Sequence, residues 1–144
     1  MRYALPQPYR EIEHTADVGV AVEGASAQEA LARLVLAFSA LLAGGAAVKA
    51  DREERIAVTD GGPPGVALAL LRELLFRFST ERVLPGACEV LRLDHAAAEV
   101  LVELASFDPD LHADGVDMKA VTRHQARFGR DADGHWRAQV LFDV

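Results

Sequence analysis

The chain has 144 residues, of which 51% are apolar, and a formal net charge of −7. This length and apolar content are typical of a globular domain with a hydrophobic core, so we expect a single domain over residues 1–144. The acidic charge argues against the broad basic surface that nucleic-acid binding normally requires, and any action on RNA is expected to be indirect, through a partner protein.

The sequence also predicts the compartment. No run approaches the roughly 18 consecutive apolar residues that a membrane span needs, and the first residues lack the apolar core of a signal peptide. The single cysteine, Cys88, lies in a strand-like run with no cysteine to pair with, which favours core packing and a reducing environment. We therefore expect a cytoplasmic protein with no membrane contact and no disulfide partner.

The first half of the chain predicts strands and two helices. Strand-like runs at residues 9–14 and 18–22 are joined by a corner at residues 14–17. Ser26 and Glu29 form a capping-box pattern, apolar residues follow at helical spacing, and Gly44 and Gly45 end the helix. A strand at 55–59 and a turn at 60–65 lead into a second helix, 66–78, whose wider apolar face predicts deeper burial than that of the first.

The second half predicts strands at residues 87–93, 99–107, 117–128 and 136–142. They are separated by a turn at 94–95, a polar loop at 108–115 and a hairpin turn at 131–134 that contains Asp-Gly. Strands that return through hairpins, together with the helices, predict an α+β fold. We expect a single two-layer domain with two principal helices packed on a mostly antiparallel or mixed β-sheet.

Several classes of chemistry lack their motifs in this sequence. The turn at 60–65 is not followed by Lys-Ser/Thr, and its prolines remove amides that a phosphate loop needs. There is no His-Glu-x-x-His pair, no paired-cysteine motif and no glycine-flanked serine. The sequence thus argues against a phosphate loop, a structural zinc site and a serine hydrolase.

Carboxylates at the ends of strands are the remaining candidates. Asp17 lies at the junction of the first two strands, and Asp143 and Val144 follow the last one, where alternation places Asp143 on the face opposite Trp136. Brought together with the main-chain carboxylate of Val144, the two aspartates would form an all-oxygen site of the kind that hard cations bind. An aspartate at a strand end is more often a turn residue or a helix cap. Lys119 is a further candidate, equally well explained as a solvated strand residue.

A set of motifs along nearly the whole chain resembles the archease family. His-Thr-Ala-Asp near the start, Lys-Ala-Val-Thr later and an aspartate before the last residue are specific as a combination, whereas either motif alone is not. The matching segments are 9–19 with His14 to Asp17, the helix from Ser26, 70–79, 118–122 with Lys119, and Asp143-Val144.

The resemblance implies a function. It implies a non-enzymatic accessory protein that promotes guanylylation and multiple turnover of the GTP-dependent tRNA-splicing RNA ligase, its transient protein partner. It also implies a divalent metal site made by Asp17, Asp143 and Val144, with Ca²⁺ expected and Mg²⁺ as the alternative. His14 and Lys119 are expected on the same functional surface.

One segment departs from the family's pattern. Where many members have Gly-Glu before the polar loop, this chain has Ala105-Ser106-Phe107-Asp108. A contact made by that glutamate would here fall to Asp108 or Asp110.

Two other functions are compatible with the residues. One is a chaperone or modulator of another RNA-modifying enzyme, such as a methyltransferase. The other is a metal-dependent hydrolase in which an aspartate-bound cation activates water, although a general base and a substrate pocket are not evident in the sequence.

Overall fold

A computed structural model describes residues 1–144 of the chain, without the side chain of His14. In chain order, the secondary-structure elements are β1 (Arg2–Ala4), β2 (Arg10–His14), β3 (Asp17–Gly24), α1 (Ala27–Ala43), β4 (Arg52–Thr59), α2 (Gly65–Glu81), β5 (Val83–Leu93), β6 (Ala97–Ser106), β7 (Ala120–Arg130) and β8 (Trp136–Asp143).

The strands form two four-stranded sheets. The first sheet has the order β1-β5-β6-β4 and the second sheet the order β2-β3-β8-β7. All of these strand pairs are antiparallel. The predicted α+β class with two helices is confirmed, but the strands are divided between two sheets instead of forming one. Alternation along a strand shows which face of the strand is buried but does not show which strands pair. The pattern therefore does not predict the number of sheets.

The helices contact both sheets. Helix α1 packs against β5 of the first sheet and β3 of the second, and α2 packs against β4 and β7. Helix α1 is buried around nearly its whole circumference, whereas Arg72, Phe76 and Ser79 of α2 are exposed. The expectation that α2 would be the more deeply buried helix was therefore wrong. Helix α1 contains many alanines, and their small side chains allow both sheets to approach it closely. In a sequence, alanines mark an apolar face less clearly than leucines do, so the apolar face of α1 looks narrower than it is.

The ends of α1 follow the sequence signals. The Ser26 hydroxyl accepts a hydrogen bond from the Glu29 backbone N–H at 3.1 Å, and the Glu29 carboxylate accepts one from the Ala25 N–H at 2.8 Å. Gly44 ends the helix in the left-handed conformation, with φ of 64°. These local interactions fix where the chain leaves β3 and turns into the core.

Some strand bounds differ from the prediction because of irregular pairing. Strand β5 begins at Val83, upstream of the predicted start, since Pro85 lies at a bulge where its missing N–H is tolerated. The short strand β1 was not predicted, and it pairs with β5. The register of β7 on β8 shifts between Thr122 and Arg127, which leaves a bulge in β7.

The core lies between the sheets and around the helices. Phe142 of β8 is fully buried, and the centroid of its ring lies 6.0 Å from the ring centroid of Phe38 in α1. Cys88 is also buried in the core, as predicted, and burial, aided by the charge of Glu89, raises the pKa of its thiol to about 12. Of the helices formed by the described residues, none is long and apolar enough to cross a membrane.

Candidate metal site at the end of the second sheet

Two aspartates from opposite ends of the chain meet on neighbouring strands. Asp17 is the first residue of β3, Asp143 is the last residue of β8, and they lie directly opposite each other in the antiparallel pair. Residues in this relation project from the same face of a sheet, with Cβ atoms about 4.5–5.5 Å apart. The fold therefore places two of the predicted site residues side by side.

The flanking strands bring the other candidates to the same end of the sheet. In the strand register, His14 pairs with Asp17, and Ala120 pairs with Asp143. The backbone N–H of Lys119 donates a hydrogen bond to the main-chain oxygen of Asp143 at 2.7 Å, and the Lys119 side chain is exposed. The His14 side chain lies outside the described part of the chain, so its predicted role stays a prediction.

The aspartates stand on a rigid support. Asp143 is exposed and Asp17 is partly buried, yet the residue preceding Asp143, Phe142, has no exposed surface. Alternation along β8 places Phe142 in the core and Asp143 on the opposite face, as the sequence predicted. The backbone that carries Asp143 is thus anchored by an aromatic side chain while its carboxylate reaches solvent.

The sheet is also closely packed two residues away from the aspartates. Leu141 projects from the same face as Asp143 but has no exposed surface, and it lies opposite Gly19. A Cβ atom at Gly19 would lie 2.3 Å from Cδ2 of Leu141 and 2.7 Å from the main-chain oxygen of Val140. Sequence reasoning did not select Gly19. The available signal was a glycine inside a strand pattern, which often marks a close approach of neighbouring groups.

The donor set fits a hard cation. Like charges directly opposite each other on a sheet repel, and a bound cation would offset that repulsion. Among the described residues, no group of three or more His, Cys, Asp or Glu side chains is arranged to hold a metal ion. A cation at Asp17 and Asp143 would therefore take its other ligands from main-chain oxygens, water or a partner, a pattern that Mg²⁺ often shows and Ca²⁺ accepts.

Asp108 has a local role instead. Its carboxylate accepts hydrogen bonds from the backbone N–H groups of Leu111 at 3.1 Å and Asp110 at 2.9 Å, and these bonds lower its pKa. The loop is further held by His112, whose ring accepts from the Asp108 N–H at 3.0 Å. Asp108 is therefore explained as a turn residue, and the structure adds no support for its replacing the family's glutamate.

Comparison with known proteins identifies the family of the chain. A model of the Archease protein family (MTH1598/TM1083) matches residues 9–144, which include both aspartates. The chain belongs to the archease family. The family membership predicted from the sequence is thus confirmed.

Individual relatives match over almost their whole length. The chain is 27% identical to the protein archease of Pyrococcus furiosus, over 94% of this chain and 98% of that one. It is 29% identical to the protein archease of Methanopyrus kandleri, over 95% and 99% respectively. The solution structure of Methanobacterium thermoautotrophicum protein 1598 is similar with a TM-score of 0.72 and 25% identity, covering 94% of this chain and 98% of that one.

Proposed function

We propose that the protein is a non-enzymatic accessory factor of a GTP-dependent tRNA-splicing RNA ligase, which it activates by promoting guanylylation and multiple turnover. The observation that carries the proposal is the pairing of Asp17 with Asp143 on one accessible face, in a member of the archease family. The role itself is what the family resemblance implies.

The proposed site includes a divalent cation. Asp17 and Asp143 would hold it together with a main-chain oxygen of Val144, the residue that follows β8. An all-oxygen donor set favours Ca²⁺ or Mg²⁺ over softer metals, and we expect Ca²⁺ first. When bound, the cation would supply positive charge close to the phosphates of a nucleotide.

The site residues would act mainly by holding the proposed cation and charged side chains in position for the ligase. The anchoring of Phe142 holds the end of β8 in place, so Asp143 can meet a partner without first being ordered. Lys119, whose backbone is hydrogen-bonded to Asp143 and whose side chain is exposed, would contact the partner at the same end of the sheet. The net charge of −7 would accelerate encounter with an electropositive ligase surface.

Ligation of RNA by limiting amounts of the cognate ligase tests the proposal. Turnovers and ligase guanylylation would be measured together, with the untagged protein and with Asp143→Asn. We expect the protein to raise both, and Asp143→Asn to remove most of the effect. Asp51→Asn is a matched control, because Asp51 is an exposed aspartate whose side chain pairs with Arg52 away from the site.

Three results would contradict the proposal. Full activation by Asp143→Asn would exclude the role of the paired aspartates. No effect of the protein on ligation, combined with an effect on a methyltransferase, would favour the modulator function. Hydrolysis of a phosphoester by the purified protein without ligase would indicate an enzyme.

A further inference from the structure

Arginines are concentrated in one groove of this acidic protein. The groove has a volume of about 920 Å³ and runs along the second sheet, away from the row that contains Asp17 and Asp143. We call it the arginine groove. It is lined by five of the fifteen Lys and Arg residues but by only two of the twenty-two Asp and Glu residues, and the five are Arg10, Arg33, Arg127, Arg130 and Arg137.

The acidic residues of the groove do not neutralise it. Glu23 and Asp131 both form ion pairs with Arg137. Arg33 pairs with Glu29 at 3.5 Å, outside the lining. The remaining three arginines have no carboxylate partner among the described residues, and they are Arg10, Arg127 and Arg130. The five arginines are thus set against four paired carboxylates, two of the lining and two beside it, Glu29 and Asp133, and the excess positive charge lies at the three unpaired arginines.

The strand register spreads these charges over the sheet. Arg10 pairs with Ala21, Ala21 with Gln139, and Gln139 with Arg127, so one row crosses all four strands. At about 4.8 Å for each of the three strand spacings, the Cα atoms of Arg10 and Arg127 are roughly 14 Å apart. Such a separation suits a ligand that carries several anionic groups along its length, more than a single small anion.

Arg127 is held in position by a buried amide. The Gln139 side chain, 9% exposed, donates a hydrogen bond to the main-chain oxygen of Gln125 at 3.1 Å. Its oxygen accepts one from the Arg127 guanidinium at 3.3 Å. Gln125 lies in the β7 bulge and has a positive φ of 53°. The guanidinium of Arg127 is thus positioned by a neutral amide next to the bulge, and no carboxylate cancels its charge.

We propose that the arginine groove binds the phosphodiester backbone of a single-stranded nucleic acid. Guanidinium groups match phosphate geometry, and the exposed ring of Tyr9, which also lines the groove, offers a face on which a base can stack. The aromatic ring favours nucleic acid over an acidic peptide. The proposal differs from the expectation drawn from net charge, because a local surface can be basic in an acidic chain. It is independent of the metal site and of the ligase.

Fluorescence anisotropy with a labelled oligouridylate tests the proposal at several salt concentrations. The full chain is compared with a triple variant, Arg10→Gln, Arg127→Gln and Arg130→Gln. We expect the variant to lose at least about tenfold in affinity, and its salt dependence to fall by about 2 in slope, at roughly 0.7 for each lost contact with single-strand phosphate. The same three arginines changed to lysine should retain most of the binding.

The matched control changes the charge by the same amount elsewhere. Arg52→Gln, Arg55→Gln and Arg92→Gln remove three exposed arginines from the first sheet and should leave binding unchanged. Asp143→Asn should also bind normally, which separates this inference from the proposed function. Equal affinity of the groove variant and the unmodified protein would overturn the proposal. Displacement of the oligouridylate by polyglutamate at equal charge would overturn the nucleic-acid assignment in favour of an acidic peptide.

Discussion

Leu141 lies against the backbone of Gly19 on the neighbouring strand, two residues along each strand from the paired aspartates and on the same face of the sheet. The absence of a side chain at Gly19 leaves room for Cδ2 of Leu141, which a Cβ atom would approach to 2.3 Å. This contact leaves no gap between β3 and β8 close to Asp17 and Asp143, which lie at the ends of the same two strands. The packing of Leu141 on Gly19 therefore bears on the geometry of the aspartates.

Gly19→Ala should destabilise the protein by about 1–3 kcal/mol, because the added methyl group overpacks a closed contact and also meets the main-chain oxygen of Val140. Urea denaturation measures the change. Gly129→Ala is the matched control in β7 of the same sheet, because a Cβ there meets nothing within 4 Å. Equal stability of the Gly19 variant and the unmodified protein would show that Leu141 and the β8 backbone adjust to the methyl group at no cost.

Asp143→Asn should change stability in opposite directions with and without a divalent cation. In chelator, removing one of two opposed charges should leave stability equal or raise it by about 0.2–1 kcal/mol. At a Ca²⁺ concentration of about 100 times the Kd, the unmodified protein should gain about 2.7 kcal/mol, and the variant much less. Thermal unfolding with Ca²⁺, Mg²⁺ and chelator distinguishes these cases. An equal Ca²⁺ effect on both proteins would place the cation elsewhere.

The proposed contribution of Val144 can be tested separately. A protein that ends at Val144 is compared with one extended by a single glycine, in which an amide carbonyl replaces the main-chain carboxylate of Val144. If the main-chain carboxylate is a ligand, the stabilisation by Ca²⁺ should fall, while stability in chelator should not change. An unchanged Ca²⁺ effect would show that the negative charge of that carboxylate is not needed for binding.

Glu29→Gln should lower stability at neutral pH by about 0.3–1 kcal/mol, because the charge of Glu29 lies at the N-terminus of α1. The hydrogen bond from the Ala25 N–H, with smaller contributions from the Tyr3 hydroxyl and Arg33, lowers the pKa of Glu29. A carboxylate whose pKa is lowered by folding stabilises the protein above its unfolded pKa of about 4.3, and this contribution is lost as the pH falls through the lower folded value. Urea denaturation between neutral and acidic pH should show the difference between the two proteins shrinking below about pH 4. A difference that is constant with pH would contradict a role for the charge.

Cys88 should not react with a thiol reagent in the folded protein at pH 8. It is buried, and its pKa of about 12 leaves almost no thiolate at that pH. Labelling in the absence and presence of urea, followed by mass spectrometry, measures this. We expect modification only under conditions that unfold the chain, and rapid labelling of the folded protein would show that β5 opens locally.

Local structure was determined by the sequence itself. The capping box of Ser26 and Glu29, the left-handed Gly44 and the hairpin turn before Trp136 depend on residues a few positions apart, whose interactions are the same wherever the segment lies. Alternation along β8 likewise placed Asp143 opposite the core face. The association of Asp17 with Asp143 came from a resemblance between whole sequences, since no local rule connects them.

Only the tertiary structure decided which strands distant in the chain are neighbours. The pairing of β3 with β8, the enclosure of α1 by two sheets and the row from Arg10 to Arg127 each join segments that are distant in the chain. Such contacts depend on how several apolar faces are buried together. A period of two residues shows which face of a strand is apolar, but it does not show which strand pairs with it. The proposed metal site and the arginine groove both depend on that choice of neighbours.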